Sequence, residues 1–354
     1  MCLRDSAGRG DVLVAEADES DGSFEKYHPD IAIITNAEAD HLDHYGTEDN
    51  YHAAFVEHAG HARGHVILCA DDEGALSVLR RLDPETSAKV IAYAMRPADL
   101  IGDLNGAAFV HIESESESSG SGAERFVVDL PGAVLRAGGA GASGSTGDLH
   151  LPVSLKVPGV HNARNATAAI IAATLLGMAP ERAAEAVGGF LGASRRFQIR
   201  GEVAGVSVVD DYAHHPTEIA ALLDAARRRY PNATIRVLFQ PHLFSRTKFF
   251  AAEFAQALAK ADDVIVSGIF PARETQADFP DVGPHTIVDA AAGIAHDPAG
   301  HWIAAVDDMQ VAAQMLAMRA HRGDVIFTVG AGDITQMDEV LLHALEAHRV
   351  ADGR

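Results

Sequence analysis

The stretch VSVVDDYAHHPTEIAALLDAARRRY, residues 206–230, decides the fold class. Its β-branched opening reads as a strand, and PTEIAALLDAARRRY reads as a helix with Pro216 in the first turn, where its missing N–H costs nothing. Glu218 lies where a negative charge favours the helix dipole. Between the two elements stand Asp210, Asp211, Tyr212, His214 and His215, far more ionisable groups than a core strand needs at its end. The same strand-to-helix unit recurs. TIRVLFQPH (234–242) leads into TKFFAAEFAQALAKA (247–261), DVIVSGIF (263–270) follows, and DVIFTVGAGD (324–333) precedes a last helix. Repeated units of this kind build an α/β domain with a mainly parallel sheet.

The first half follows the same rule. DVLVAEAD (11–18), IAIITNAEAD (31–40) and HVILCADD (65–72) read as strands that end in carboxylates, asparagine or threonine, and KVIAY (89–93) fits a further strand. Ligands of open α/β sheets collect at the carboxyl ends of the strands, so these polar ends are candidate site positions. HIESESESSGSGA (111–123) and RAGGAGASGSTGD (136–148) are low-complexity. With RFVVDL (125–130) between them, they read as a peripheral hairpin that tolerates insertion. VPGVHNARNATAAIIAATLLGM (157–178) is a Pro-Gly turn followed by an alanine-rich helix. A boundary near Gly192 to Arg195 divides the chain into domains 1–192 and 193–354.

The bulk numbers agree with an ordinary globular protein of two domains. The chain has 354 residues, 47% of them apolar and 22% charged. Its formal charge of −22 argues against nucleic acid or an anionic membrane as a general partner. An anionic substrate then requires cations gathered locally. Two cysteines, Cys2 and Cys69, make a disulfide framework unexpected and suit a reducing cytoplasm. The N-terminal residues lack the apolar core of a signal peptide, and no apolar run reaches membrane-spanning length, so a cytoplasmic location is expected.

Several clusters could carry chemistry. QPHLFSRTK (240–248) brings His242, Ser245, Arg246 and Lys248 to a strand-to-helix junction, where backbone N–H groups also favour anions. Read blandly, it is a solvated basic helix start. SRRFQIRGE (194–202) adds Arg195, Arg196 and Arg200, either a salt-bridged linker or a grip on an anionic ligand. EADESD (16–21) and NAEADHLDHY (36–45) are rich in oxygen and imidazole donors. Glu16 and His41, completed by water and phosphate, would suit Mg²⁺; otherwise these are solvated acidic loops. The asparagines of HNARN (161–165) are ordinary at a helix start, and their amides also suit the edge of a nucleobase.

In order, EADESD, TNAEADHLD, PGVHNARNA, SRRF, VDDYAHHPTE, QPHLFSRT, FPARE and GAGDI resemble the Mur ligases of peptidoglycan synthesis, most closely the alanine-adding branch. The resemblance covers the chain apart from the low-complexity insert. It implies a remnant of a P-loop-type central ATP-binding domain followed by a Rossmann-like C-terminal ligase domain. The implied reaction uses ATP and Mg²⁺ to phosphorylate the carboxylate of UDP-N-acetylmuramate, after which the amine of L-alanine attacks the acyl phosphate. By this resemblance Glu16 and His41 hold the metal. His161, Asn162 and Asn165 lie by the adenine, while Arg195 or Arg196 and Asp210 or Asp211 serve ATP. Tyr212, His214, His242 and Arg246 line the muramoyl and alanine side. Leu243 replaces an arginine frequent in the family motif. No G-x-x-x-x-G-K-[ST] loop occurs in the chain, so an N-terminally truncated ligase without its UDP-binding domain and phosphate loop is expected. Two alternatives stand beside ligation of L-alanine: an inactive fragment or non-catalytic binding protein, and a sister ligase that attaches a peptide to the same sugar.

Overall fold

The computed structural model describes residues 10–114, 124–138, 147–296 and 301–351. Most of the two low-complexity stretches lies outside the described residues. The chain divides into two compact units, with the change at Phe190 and Leu191 and with Val157–Gly159 grouped with the second.

The first unit is built on a six-stranded sheet whose strands lie side by side in chain order. These are β1 (Ile31–Ile34), β2 (His65–Cys69), β3 (Val90–Ala94), β4 (Ala108–Ser114), β5 (Glu124–Leu130) and β6 (Leu149–Leu155). β1 to β4 are parallel, and β5 and β6 are antiparallel to their neighbours. Burial explains the difference in pattern. Val66–Cys69 and Val90–Ala94 are buried throughout, which calls for continuous apolar runs. Leu151, Val153 and Leu155 of β6 point inward while His150, Pro152 and Ser154 face water. The RFVVDL segment forms β5, which pairs antiparallel with β4 as a hairpin and is itself covered by β6. Tyr51 and Phe55 from the Glu48–Gly60 helix share a core with Leu76 and Leu79 from the Glu73–Arg81 helix.

DVLVAEAD does not form the expected strand. Residues 12–19 are irregular, and Leu13 and Val14 are 90% and 88% exposed. Apolar β-branched residues supply propensity, but a strand exists only where a neighbour takes up its N–H and C=O groups. Among the described residues, no sheet neighbour is paired with this segment.

The second unit has a six-stranded sheet in the order β11-β10-β9-β12-β8-β7. Its strands are β7 (Gln198–Val203), β8 (Val206–Asp211), β9 (Ile235–Phe239), β10 (Asp263–Val266), β11 (Ile303–Ala305) and β12 (Val325–Val329). All are parallel except β7, which forms an antiparallel hairpin with β8. β7 is legible as a linker only until its turn is noticed. Ala204 and Gly205 both take positive φ, 54° and 76°, as a two-residue hairpin loop requires. Helices Pro216–Arg229 and Ala251–Leu258 contribute to a core on one face of the sheet, and Met309–Arg319 and Met337–Ala351 to a second core on the other. Because β12 lies between β8 and β9, the chain crosses over at that point. The loops after all three strands then emerge together at their carboxyl ends.

In the first unit, one tight approach fixes the loop after β1. The Asp72 carboxylate accepts from Ala37 N at 2.9 Å and Ala75 N at 2.7 Å, so it caps the Glu73–Arg81 helix and ties down the NAEAD loop together. His52 Nε2 meets Ala37 O at 3.0 Å. A Cβ on Gly74 would stand 2.1 Å from that same carbonyl oxygen. Gly74→Ala is expected to destabilise the first unit by about 1–3 kcal/mol, the usual cost of forcing atoms into filled space, as read from urea unfolding.

Candidate active site

The two aspartates that close β8 are buried and occupied by partners within the second unit. Asp211 accepts from Phe197 N at 2.7 Å and Ala213 N at 2.8 Å, which fixes the turn beyond the strand. Burial pushes its carboxyl up to about 6 against the pull of those N–H groups. Asp210 accepts from Thr335 Oγ1 at 2.8 Å and lies 3.3 Å from Arg195 Nε. Both carboxylates thus act as anchors at the strand end.

The arginines of SRRFQIRGE separate into different tasks. Arg195 donates to the carbonyls of Gly330 and Gly332 at 2.5 and 3.2 Å and stacks over the Tyr212 ring at 4.9 Å. It is a pin between the loops after β8 and β12. Arg196, more than half exposed, stands 5.5 Å from the Tyr212 centroid and 3.6 Å from Glu218. Arg200 turns to Asp338 at 3.0 Å. All three guanidiniums have carboxylate neighbours within the unit, and of the three Arg196 is the most exposed. Asp338 was not legible as a site residue in the sequence. It lies in the first turn of the last helix, where acids are common, and only the fold buries it beside Thr328 Oγ1 at 2.6 Å.

Tyr212, His214, His242 and Arg246 do come together. The His214 ring lies edge-on to Tyr212 at 5.4 Å and to His242 at 5.8 Å. His242 stacks on Phe270 at 5.7 Å, its backbone bridged to that residue. Arg246 is buried, and its Nη1 is 3.3 Å from His242 Nδ1. Burial, then Arg246, His214 and Arg273, push His242 down to about 4, so the ring is neutral at physiological pH. Leu243, where the family often has arginine, is buried at a φ of 69°. Positive φ also occurs at Arg195, Phe197 and Ala272, so backbone strain gathers in the segments that carry these motifs. Glu218, read from sequence only as a helix-start acid, proves to be the partner of His214: its Oε2 lies 3.2 Å from His214 Nδ1.

In the first unit, His161 and Asn162 lie in the first turn of the Val160–Leu175 helix, with Asn162 Nδ2 and His161 Nε2 3.1 Å apart; Asn165 is exposed on that helix. Arg164, between them in sequence, donates to Asp71 at 2.7 Å. Asp71 also accepts from Met95 N at 2.9 Å and Arg96 N at 3.1 Å. This carboxylate secures the helix start to the ends of β2 and β3. Glu16 is exposed in the irregular segment, whereas His41 Nε2 lies 3.5 Å from Glu19 and 3.8 Å from Asp40. Among the described residues, no three His, Cys, Asp or Glu side chains converge as a metal-holding group.

Burial pushes Asp338 up to about 6 from an ordinary 3.8, with the Asp210 charge adding to the effect. The folded chain therefore binds this proton more tightly than the unfolded chain. Its contribution to stability is complete below pH 4 and is lost as pH rises through 6, by about 3 kcal/mol. Urea unfolding at pH 4.5 and 7.5 is expected to show the wild type losing stability relative to Asp338→Asn as pH rises.

Comparison with known proteins agrees with this architecture. Residues 2–173 match the Mur ligase middle domain, and residues 195–332 match the domain described as Mur ligase, glutamate ligase domain. The UDP-N-acetylmuramate--L-alanine ligase of Bifidobacterium adolescentis is 69% identical over 343 residues, 97% of this chain and 64% of that protein. The protein of the same name from Renibacterium salmoninarum is 42% identical, over 98% of this chain and 67% of its own length. Among solved structures, the UDP-N-acetylmuramate-alanine ligase MurC of Thermotoga maritima aligns with a TM-score of 0.66 and 26% identity, covering 96% of this chain and 63% of that one. The chain thus spans about two thirds of the length of these relatives. No described helix is long and apolar enough to cross a membrane. From residue 2 to residue 332 its matched segments are those of one family, and the chain belongs to the Mur ligases.

Proposed function

We propose that the chain carries part or all of an ATP-dependent ligase that joins L-alanine to the carboxylate of UDP-N-acetylmuramate in the cytoplasm. The observation that carries this reading is the convergence of Tyr212, His214, His242 and Arg246 at the carboxyl ends of β8 and β9. Relatives 40–69% identical over nearly the whole chain bear the name of that ligase. A MurF ligase of Thermotoga maritima, alike in fold at 17% identity, was solved in complex with ADP.

The chemistry follows from charge. A carboxylate becomes open to an amine once ATP has converted it to an acyl phosphate. Attack then places negative charge on the acyl oxygen and the departing phosphate, where fixed donors and cations lower the barrier. Arg246 supplies a cation, and the neutral His242 an N–H donor, within a partly buried cluster. His214 offers an imidazole to the amine. Arg195 and the buried Asp210 and Asp211 keep Tyr212 and the flanking loops in register. In the first unit, Asp71 and Arg164 hold the helix start bearing His161, Asn162 and Asn165, the proposed adenine side.

The test is L-alanine-dependent release of ADP, with formation of the amide, when the folded chain is given ATP, Mg²⁺, UDP-N-acetylmuramate and L-alanine. A folded chain that releases no ADP overturns the reading that this chain by itself carries all of that ligase, and leaves it as a part. With turnover present, His214→Ala is expected to lower it by about 10²–10⁴-fold, the range of a general acid–base group, with little change in thermal stability because the side chain is partly exposed. Arg246→Lys keeps the charge but loses the planar fork, and a drop in kcat of about tenfold or more is expected in the same assay.

A further inference from the structure

We propose that Glu218 is a positioning residue that holds His214 with its ring proton on Nδ1, leaving Nε2 as the proton acceptor for an incoming amine beside a His242 fixed in the opposite tautomer. This rests on the amide-forming reading above. The geometry at His214 is one-sided. Nδ1 lies 3.1 Å from Tyr212 O and 3.2 Å from Glu218 Oε2, and neither group can donate when the carboxyl is ionised. The Glu218 carboxyl is held well below the usual range: burial works against this, but bonds from the His214 ring and backbone and the Arg196 charge outweigh it. The same Oε2 accepts from His214 N at 2.9 Å and His215 N at 3.2 Å, so the carboxylate is locked to the start of the Pro216–Arg229 helix.

His242 is constrained in the reverse sense. Arg246 Nη1, 3.3 Å from its Nδ1, can only donate, so the neutral ring carries its proton on Nε2. The two imidazoles, 5.8 Å apart, are thus an acceptor and a donor. Tyr212, Glu218 and His242 face His214, with the Arg196 charge acting on Glu218, and the charges of Arg246, Arg273 and Glu274 act on His242. In the step this serves, a substrate ammonium gives one proton to His214 Nε2, and the freed electron pair forms the C–N bond to the acyl carbon. The C–O bond to phosphorus-bound oxygen then breaks, and that oxygen leaves with the electron pair. The second proton shed by nitrogen goes to the leaving phosphate, and the His214 proton returns to solvent.

The test is long-range ¹H–¹⁵N correlation on ¹⁵N-histidine-labelled chain at a pH where the rings are neutral, with His214 assigned by its loss in His214→Gln. The expected wild-type pattern is a protonated Nδ1 and a bare Nε2. In Glu218→Gln the amide can donate as well as accept, so the population shifts toward Nε2–H, and Glu218→Asp restores the wild-type pattern at least in part. A wild-type ring protonated on Nε2, or a Glu218→Gln spectrum identical to wild type, overturns the proposal. Should Glu218→Gln fail to fold, the wild-type spectrum alone decides. In the ADP-release assay Glu218→Gln is expected to lower kcat about 10²-fold while KM for ATP stays within about twofold. Absence of turnover in the wild type would show that this chain alone is not the whole ligase and leave the spectra to judge the tautomer.

Discussion

A guanidinium laid across two carbonyls holds the working end of the second unit together. Arg195 reaches Gly330 O and Gly332 O beyond β12 while its Nε faces Asp210 at the end of β8. Asp210 is fully buried, and its charge is tolerable only with such a partner and with the hydroxyl of Thr335. Removing either ion would strand the other in a medium that does not solvate it. The loops after β8 and β12 therefore keep one relative position, and Tyr212, stacked under Arg195, is placed with them.

From that frame the reactive groups gain definite states. His242 is held neutral by burial and by adjacent positive charge, which makes it a donor and not a cation. His214, one turn of chain away from the anchored Asp211, meets a carboxylate instead of a guanidinium. Two residues of the same type at neighbouring strand ends thus acquire different chemistry from their partners alone. The first unit uses the same device on a smaller scale: Asp72 and Asp71 are carboxylates whose work is to hold backbone N–H groups and a neighbouring arginine in place.

Much of the fold was legible. The strands at 31–34, 65–69, 90–94, 206–211, 235–239, 263–266 and 325–329 all lie within apolar runs read as strands; in all but the first, burial on both faces calls for a nearly continuous apolar run. Two readings failed for one reason. DVLVAEAD has strand composition and no pairing among the described residues, whereas QIRGEV has little strand composition and pairs with β8 through the Ala204–Gly205 turn. Pairing is a property of the neighbour, and single-segment composition does not contain it.

The site divides in the same way. By itself the sequence determined the family motifs, the two-unit α/β plan and the identity of the ionisable groups at the strand ends. Those follow from local chemistry: hydrophobic period, helix-start residues, and donors gathered where parallel strands stop. Only the tertiary structure decided which of those groups are anchors and which are available. Asp210, Asp211, Arg195 and Arg200 find buried partners, Arg196 lies more than half exposed beside Glu218, and Asp338 and Glu218 enter the site from helices whose sequences look ordinary. The physical reason is that the state of an ionisable group is set by its burial and by the charges within a few ångströms. Residues as distant in sequence as Thr328 and Asp210, or Arg195 and Gly332, become such neighbours only when the chain folds.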